Sequence, residues 1–137
     1  MAISNSRTPR LDGIEYVAQE LVAAAANTLK NSVSPLAKSV KVTAVANDAN
    51  DWITLPPLNS CPDGHELVVL CSASSNFEMR TPTSSNEKIN GQDSDGSKEY
   101  LCTDTEVVKV VKINNTVGWM AHGYSAIGAV VTAVVPD

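Results

Sequence analysis

The chain has 137 residues, 10 of them basic and 15 acidic, and it is 43% hydrophobic but only 4% aromatic. That length suits one domain with its own core and is too short for a barrel of eight strands and eight helices, which takes about 250 residues. The net charge of -5 argues against binding nucleic acid through its phosphates, which calls for a basic surface.

The charge is uneven along the chain. Residues 1–50 hold five basic and four acidic side chains, a balance of +1, and residues 51–137 hold five and eleven, a balance of -6. The opening MAISNSRTPRL carries Arg7 and Arg10 and no acid. It reads either as a frayed polar terminus or as an arm that docks on an acidic partner.

Asp12 is a suitable helix N-cap, with Glu15 completing a capping box. Ile14, Val17, Leu21 and Ala24 follow at spacings of three and four, with Ala18, Ala25 and Leu29 beside them. Lys30 suits the last turn and Pro35 stops any continuation, so the pattern predicts a helix over about 13–31. Its thin, alanine-rich stripe either lies on the chain's own sheet or packs on another subunit.

From Ser39 the period shortens. Val40, Val42 and Val45 predict a first strand, and Trp52–Leu55 a short second one that Pro56-Pro57 stops. Asp63-Gly64 predicts a hairpin-like reversal, and ELVVLC at 66–71 a buried strand. Phe77–Arg80 alternates apolar with charged residues. Residues 81–99 form a long polar stretch that only Ile89 could anchor. A strand resumes at 99–102. Val107–Ile113 and Val117–Ala121 flank Asn114-Asn115-Thr116, a hairpin signal, and Ile127–Val135 predicts a last strand. Seventeen valines agree with this strand-rich reading. The whole predicts a mainly β chain: an N-terminal arm and α-helix over 1–38, then a β-sandwich or small β-barrel of about eight short antiparallel strands over 39–137.

Chemical motifs are sparse. Cys61, His65 and Cys71 read as C-x3-H-x5-C, with Cys102 far off, and the short paired spacing of structural zinc sites is missing. An odd cysteine number is no closed disulfide framework and fits a reducing compartment. His122-Gly123-Tyr124-Ser125 misses the G-x-S-x-G turn, because Gly128 comes one residue late. Asp93, Asp95 and Gly96 look like part of a calcium loop, but Gly91 and Cys102 occupy positions that need acidic ligands, which leaves either plain turn formers or a looser calcium site on Asp93, Asp95 and Glu99. The expectation is therefore no catalytic residue, no metal and no cofactor. No signal peptide and no apolar run of membrane-span length occurs, so a soluble protein made in a cytoplasm is expected, with no membrane partner. Trp52 and Trp119 read as core or interface anchors, with Trp119 the candidate for a sugar contact.

Three segments carry a resemblance: WITLPPLNSCPDGHELVVLC from Trp52, then SNFEMRTPTSSNEKINGQDSDGSKEYLCTDTEVV, and GWMA. Together the run from Trp52 to Asp137 resembles the small β-rich virion proteins of tailed bacteriophages, in texture rather than by any catalytic motif. The resemblance implies a capsid decoration (cement) protein, or a head or tail fibre subunit, located in the virion. It also implies a homo-oligomer, with a trimer favoured over a dimer, bound to the major capsid protein or another virion protein. Under that reading Arg7 and Arg10 meet acidic shell residues, and Ile14, Val17, Leu21 and Leu29 supply apolar contact to shell or neighbouring protomer. The alternative is a receptor- or glycan-binding fibre module, in which residues 81–99 and an exposed Trp meet host sugar.

Overall fold

A computed structural model describes residues 17–25, 31–83, 85–94, 98–125 and 130–131. The chain is mainly β and folds into two sheets. The strands are β1 (Val17–Ala23), β2 (Ala37–Val45), β3 (Trp52–Thr54), β4 (Glu66–Cys71), β5 (Phe77–Arg80), β6 (Lys88–Ile89), β7 (Gln92–Asp93), β8 (Tyr100–Cys102), β9 (Val107–Asn114), β10 (Gly118–Tyr124) and β11 (Val130–Val131). The larger sheet runs β1-β2-β4-β9-β10-β6-β7, with β11 also on β10, and the smaller runs β3-β5-β8.

The expected N-terminal helix is replaced by a strand over 17–23, and of the expected span only Asn31 is helical among the described residues. Residues 17–23 are a strand, parallel to β2 with Gln19 opposite Val40 and Leu21 opposite Val42. The same letters satisfy two periods. Leu21 and Ala23 turn into the core while Ala18 and Glu20 face out, which is a strand's alternation. Alanine's helical preference amounts to a few tenths of a kcal/mol per residue and yields to sheet pairing. The sheet also runs across the boundary expected at residue 38, since β1 joins β2. Residues 13–16 and 26–30 of the expected helix lie outside the described residues.

The antiparallel sandwich or barrel is corrected as well. The chain visits the large sheet at β1, touches the small sheet's edge where Ser32 bridges Thr54 in parallel, and returns as β2. It then crosses to β3, returns as β4 parallel to β2, and crosses to β5 parallel to β3. Successive coils thus stack in register, a solenoid-like path. The Asp63-Gly64 turn accordingly joins strands of different sheets and makes no hairpin. Antiparallel pairing enters with β6 and β7 and continues with β8 antiparallel to β5 and β9 antiparallel to β4.

The valine-rich hairpin forms as the sequence indicates: β9 and β10 pair antiparallel, and Asn114 Oδ1 accepts the Thr116 and Val117 N–H groups to hold the turn. Ile89 is buried and anchors the polar stretch, with Asn90-Gly91 turning β6 into β7 at positive φ. The core lies between the sheets. Leu67, Val69, Val108, Val110 and Trp119 come from the large sheet, and Ile53, Phe77, Met79 and Cys102 from the small one. Gly123 points inward too. A Cβ there would strike the carboxylate of Glu106, whose Oε2 accepts the Thr103 N–H (2.8 Å) and hydroxyl (2.6 Å).

Candidate interaction face

The outer face of the large sheet is set by strict alternation. In β4, Leu67, Val69 and Cys71 are buried, so Glu66, Val68 and Leu70 face out. In β9, Val108, Val110 and Lys112 turn in, leaving Val107, Lys109, Val111 and Ile113 outside. In β10, Trp119, Ala121 and Gly123 turn in, leaving Met120, His122 and Tyr124. The registers line these up in rows. One row is Glu20, Lys41, Leu70, Val107, Tyr124; the next is Ala18, Ser39, Val68, Lys109, His122; a third has Glu66, Val111, Met120.

The result is an apolar field on an open sheet. Val68 is 38% exposed, Leu70 40%, Met120 36% and Tyr124 38%, a cluster of a kind that solvated sheet faces seldom carry. Lys109 and Glu66 pair across it at 3.4 Å. Over β1, β2, β4 and β9 lies a groove of about 550 Å3, lined by Ala18, Ser39, Lys41, Val68, Leu70 and Val107 among others.

Behind this face lies a buried polar knot. Lys112 is 3% exposed; its ammonium donates to the carbonyls of Leu58 and Cys61, each at 2.7 Å, and pairs with Asp63 at 3.2 Å. His65, also buried, packs edge-on against Trp119 at 6.4 Å, and the Lys38 ammonium lies 3.5 Å from its Nδ1. Burial, and then the Lys38 charge, hold the His65 pKa below its ordinary value. The sign follows: the unfolded chain takes up a proton near pH 6.5 while the folded one resists it. Stability is therefore full above that pH and falls as the pH drops below it. Urea midpoints measured from about pH 7.5 down to about pH 5 should decline, and His65→Gln should flatten the decline. An unchanged slope in that variant would place the titration elsewhere.

On the small sheet Arg80 bridges Glu78 at 2.7 Å and Glu99 at 3.0 Å, with its guanidinium 3.9 Å over the Trp52 ring. Burial raises the Glu78 pKa against the opposing pull of Arg80. Glu99 is thereby paired with Arg80, and Asp95 lies outside the described residues. Cys61, Cys71 and Cys102 are free and buried, and no group of three or more metal-ligating side chains is found among the described residues. His65 faces the core and His122 the outer face of β10, so the sheet separates the two histidines.

Of the residues singled out from sequence, Arg7, Arg10, Ile14 and Leu29 lie outside the described residues. Val17 opens β1. Leu21 is 6% exposed and makes its apolar contacts inside its own core. Trp119 is fully buried, because it falls on the inward set of β10, and it offers no surface to a sugar. Val68 and Leu70 are exposed although ELVVLC reads as a buried strand, and Met120 and Tyr124 join them from β10. Only Glu66, two and four residues before the pair on β4, hinted at the open side. No family model, curated protein or solved structure matches the chain.

Proposed function

We propose that this chain is a non-enzymatic structural subunit that works by docking its large sheet onto other protein, as a capsid decoration protein of a tailed phage does. The observation that carries the reading is the apolar field of Val68, Leu70, Val107, Met120 and Tyr124 on the outside of an open sheet. Such a field costs free energy in water, at roughly 25 cal/mol per Å2, and is released from that cost in an assembly. The virion assignment rests on the sequence resemblance. The shell would be met by the basic arm, with Arg7 and Arg10 toward acidic shell residues.

The test is co-sedimentation of the full chain with capsid shells that lack it. Stoichiometric binding is expected, weakened at least tenfold when residues 1–16 are deleted, a cut that leaves β1 in place. Shells that pellet without the chain would overturn the virion reading. The fibre-module alternative keeps one supporting observation. Half-buried Trp52 lines a groove of about 340 Å3 with Thr54, Pro56, Pro57, Pro82 and Thr83. A glycan that changes Trp fluorescence in the wild type but not in Trp52→Phe would favour it.

A further inference from the structure

We infer that residues 132–135 compete with β6 for one edge of β10, and that the Asn90 side chain sets the outcome. This strand exchange goes beyond the docking reading and does not rest on it.

Two partners share that edge. β6 lies against the start of β10, where Ile89 pairs in parallel with Trp119. β11 lies against its end, where Val131 and Val130 pair antiparallel with Gly123 and Tyr124. Between them a side chain closes the edge. The Asn90 amide donates to the Ala121 carbonyl at 3.1 Å and accepts the Ala121 N–H at 2.8 Å. The Asn90 backbone N–H donates to the Trp119 carbonyl at 2.9 Å. A carboxamide carries the donor and the acceptor of a peptide group, so Asn90 does for Ala121 what a paired strand residue does.

The register of β11 names that strand residue. Carried four residues further, it sets Thr132, Ala133, Val134 and Val135 opposite His122, Ala121, Met120 and Trp119. Ala133 then takes the two Ala121 groups that Asn90 holds, and Val135 takes the place of Ile89. Opposed residues share a face, so Ala133 and Val135 turn inward with buried Ala121 and Trp119, apolar for apolar. Pro136 comes opposite Gly118, the first residue of β10, and stops the ladder there.

The two arrangements exclude each other. On the side of β6 stand buried Ile89, the Asn90 bonds, and the Asn90-Gly91 turn, whose φ values of 53° and 81° suit those two residues. On the side of a longer β11 stand more backbone pairing and a β-branched run. An element with two packings of one sequence is a switch, and the exchange frees β6 and β7 from the sheet.

Hydrogen exchange read by mass spectrometry on the full chain tests the inference. Asn90→Gly keeps the turn, since glycine adopts positive φ freely, and removes the amide. Exchange should slow by about tenfold or more at 132–135 and quicken at 88–93. Val135→Asp puts a carboxylate inside, opposite Trp119, in the longer strand. Added to Asn90→Gly, it should abolish the slowing at 132–135. Where Asn90→Gly fails to fold by circular dichroism, Asn90→Asp gives the same test, because it tolerates the turn and cannot donate to Ala121. Faster exchange at 88–93 with no slowing at 132–135 overturns the inference, since Asn90 then only holds β6. No change at either place overturns it too. So does a slowing that survives Val135→Asp, or one accompanied by a doubled mass in light scattering, which assigns the strand to a neighbouring copy.

Discussion

Lys112→Met is expected to lower unfolding free energy by about 3–5 kcal/mol, the usual cost of removing one partner from a buried charged network. The ammonium is the donor for two carbonyls, Leu58 and Cys61, that close the turn before β4. Its loss leaves both buried acceptors without that bond, each at a cost of about 1–3 kcal/mol. It also removes a positive charge that lowers the Glu87 pKa, a carboxyl already raised chiefly by burial and tied to the Leu58 N–H at 3.0 Å. Methionine keeps the apolar stem of lysine, so the loss reports the charge and its bonds rather than a cavity. Asp63→Asn should do far less, below about 1 kcal/mol, because that carboxylate is 66% exposed and water replaces much of what it provides. Urea unfolding of the two variants measures the contrast. Equal effects would mean that the Asp63 pair, and not the two carbonyls, holds the loop.

Trp119→Ala is expected to cost about 3–5 kcal/mol as well, by a different route. The ring is the largest fully buried side chain, and it fills the space between β10 and His65. Truncation loses its transfer free energy and leaves a cavity that the surrounding strands can close only in part. Where the alanine variant fails to fold, Trp119→Phe keeps the argument measurable, with a smaller loss in the same direction. Because Trp119 points inward, either variant should leave glycan binding at the Trp52 groove unaffected in any folded fraction. Leu70→Lys, on the outer face of β4, should by contrast change stability little.

Much of the β character was legible in the residues themselves. Asn114-Asn115-Thr116 between two valine runs marks the β9–β10 hairpin, since the asparagine side chain can hold its own turn. Prolines 56 and 57 mark where β3 must stop, and Ile89 is the one apolar residue able to pin the polar stretch. These are local signals with local causes.

Which way each strand faces, and what lies beside it, is settled by contacts far apart in the chain. VVKVVKI has a lysine on either face: period two puts Val108, Val110 and Lys112 together and Val107, Lys109 and Val111 opposite them. Sequence hydropathy cannot say that the face with Lys112 is the buried one. That choice depends on the Leu58 and Cys61 carbonyls, some fifty residues earlier in the chain, which meet the ammonium inside. The first strand is decided in the same way. Val17–Ala23 carries helical spacing, and it became β1 because β2 offers a parallel partner whose pairing outweighs a small intrinsic preference. Period and turn chemistry are properties of a short stretch of chain. The sense of a face and the partner of an edge are properties of the whole coil.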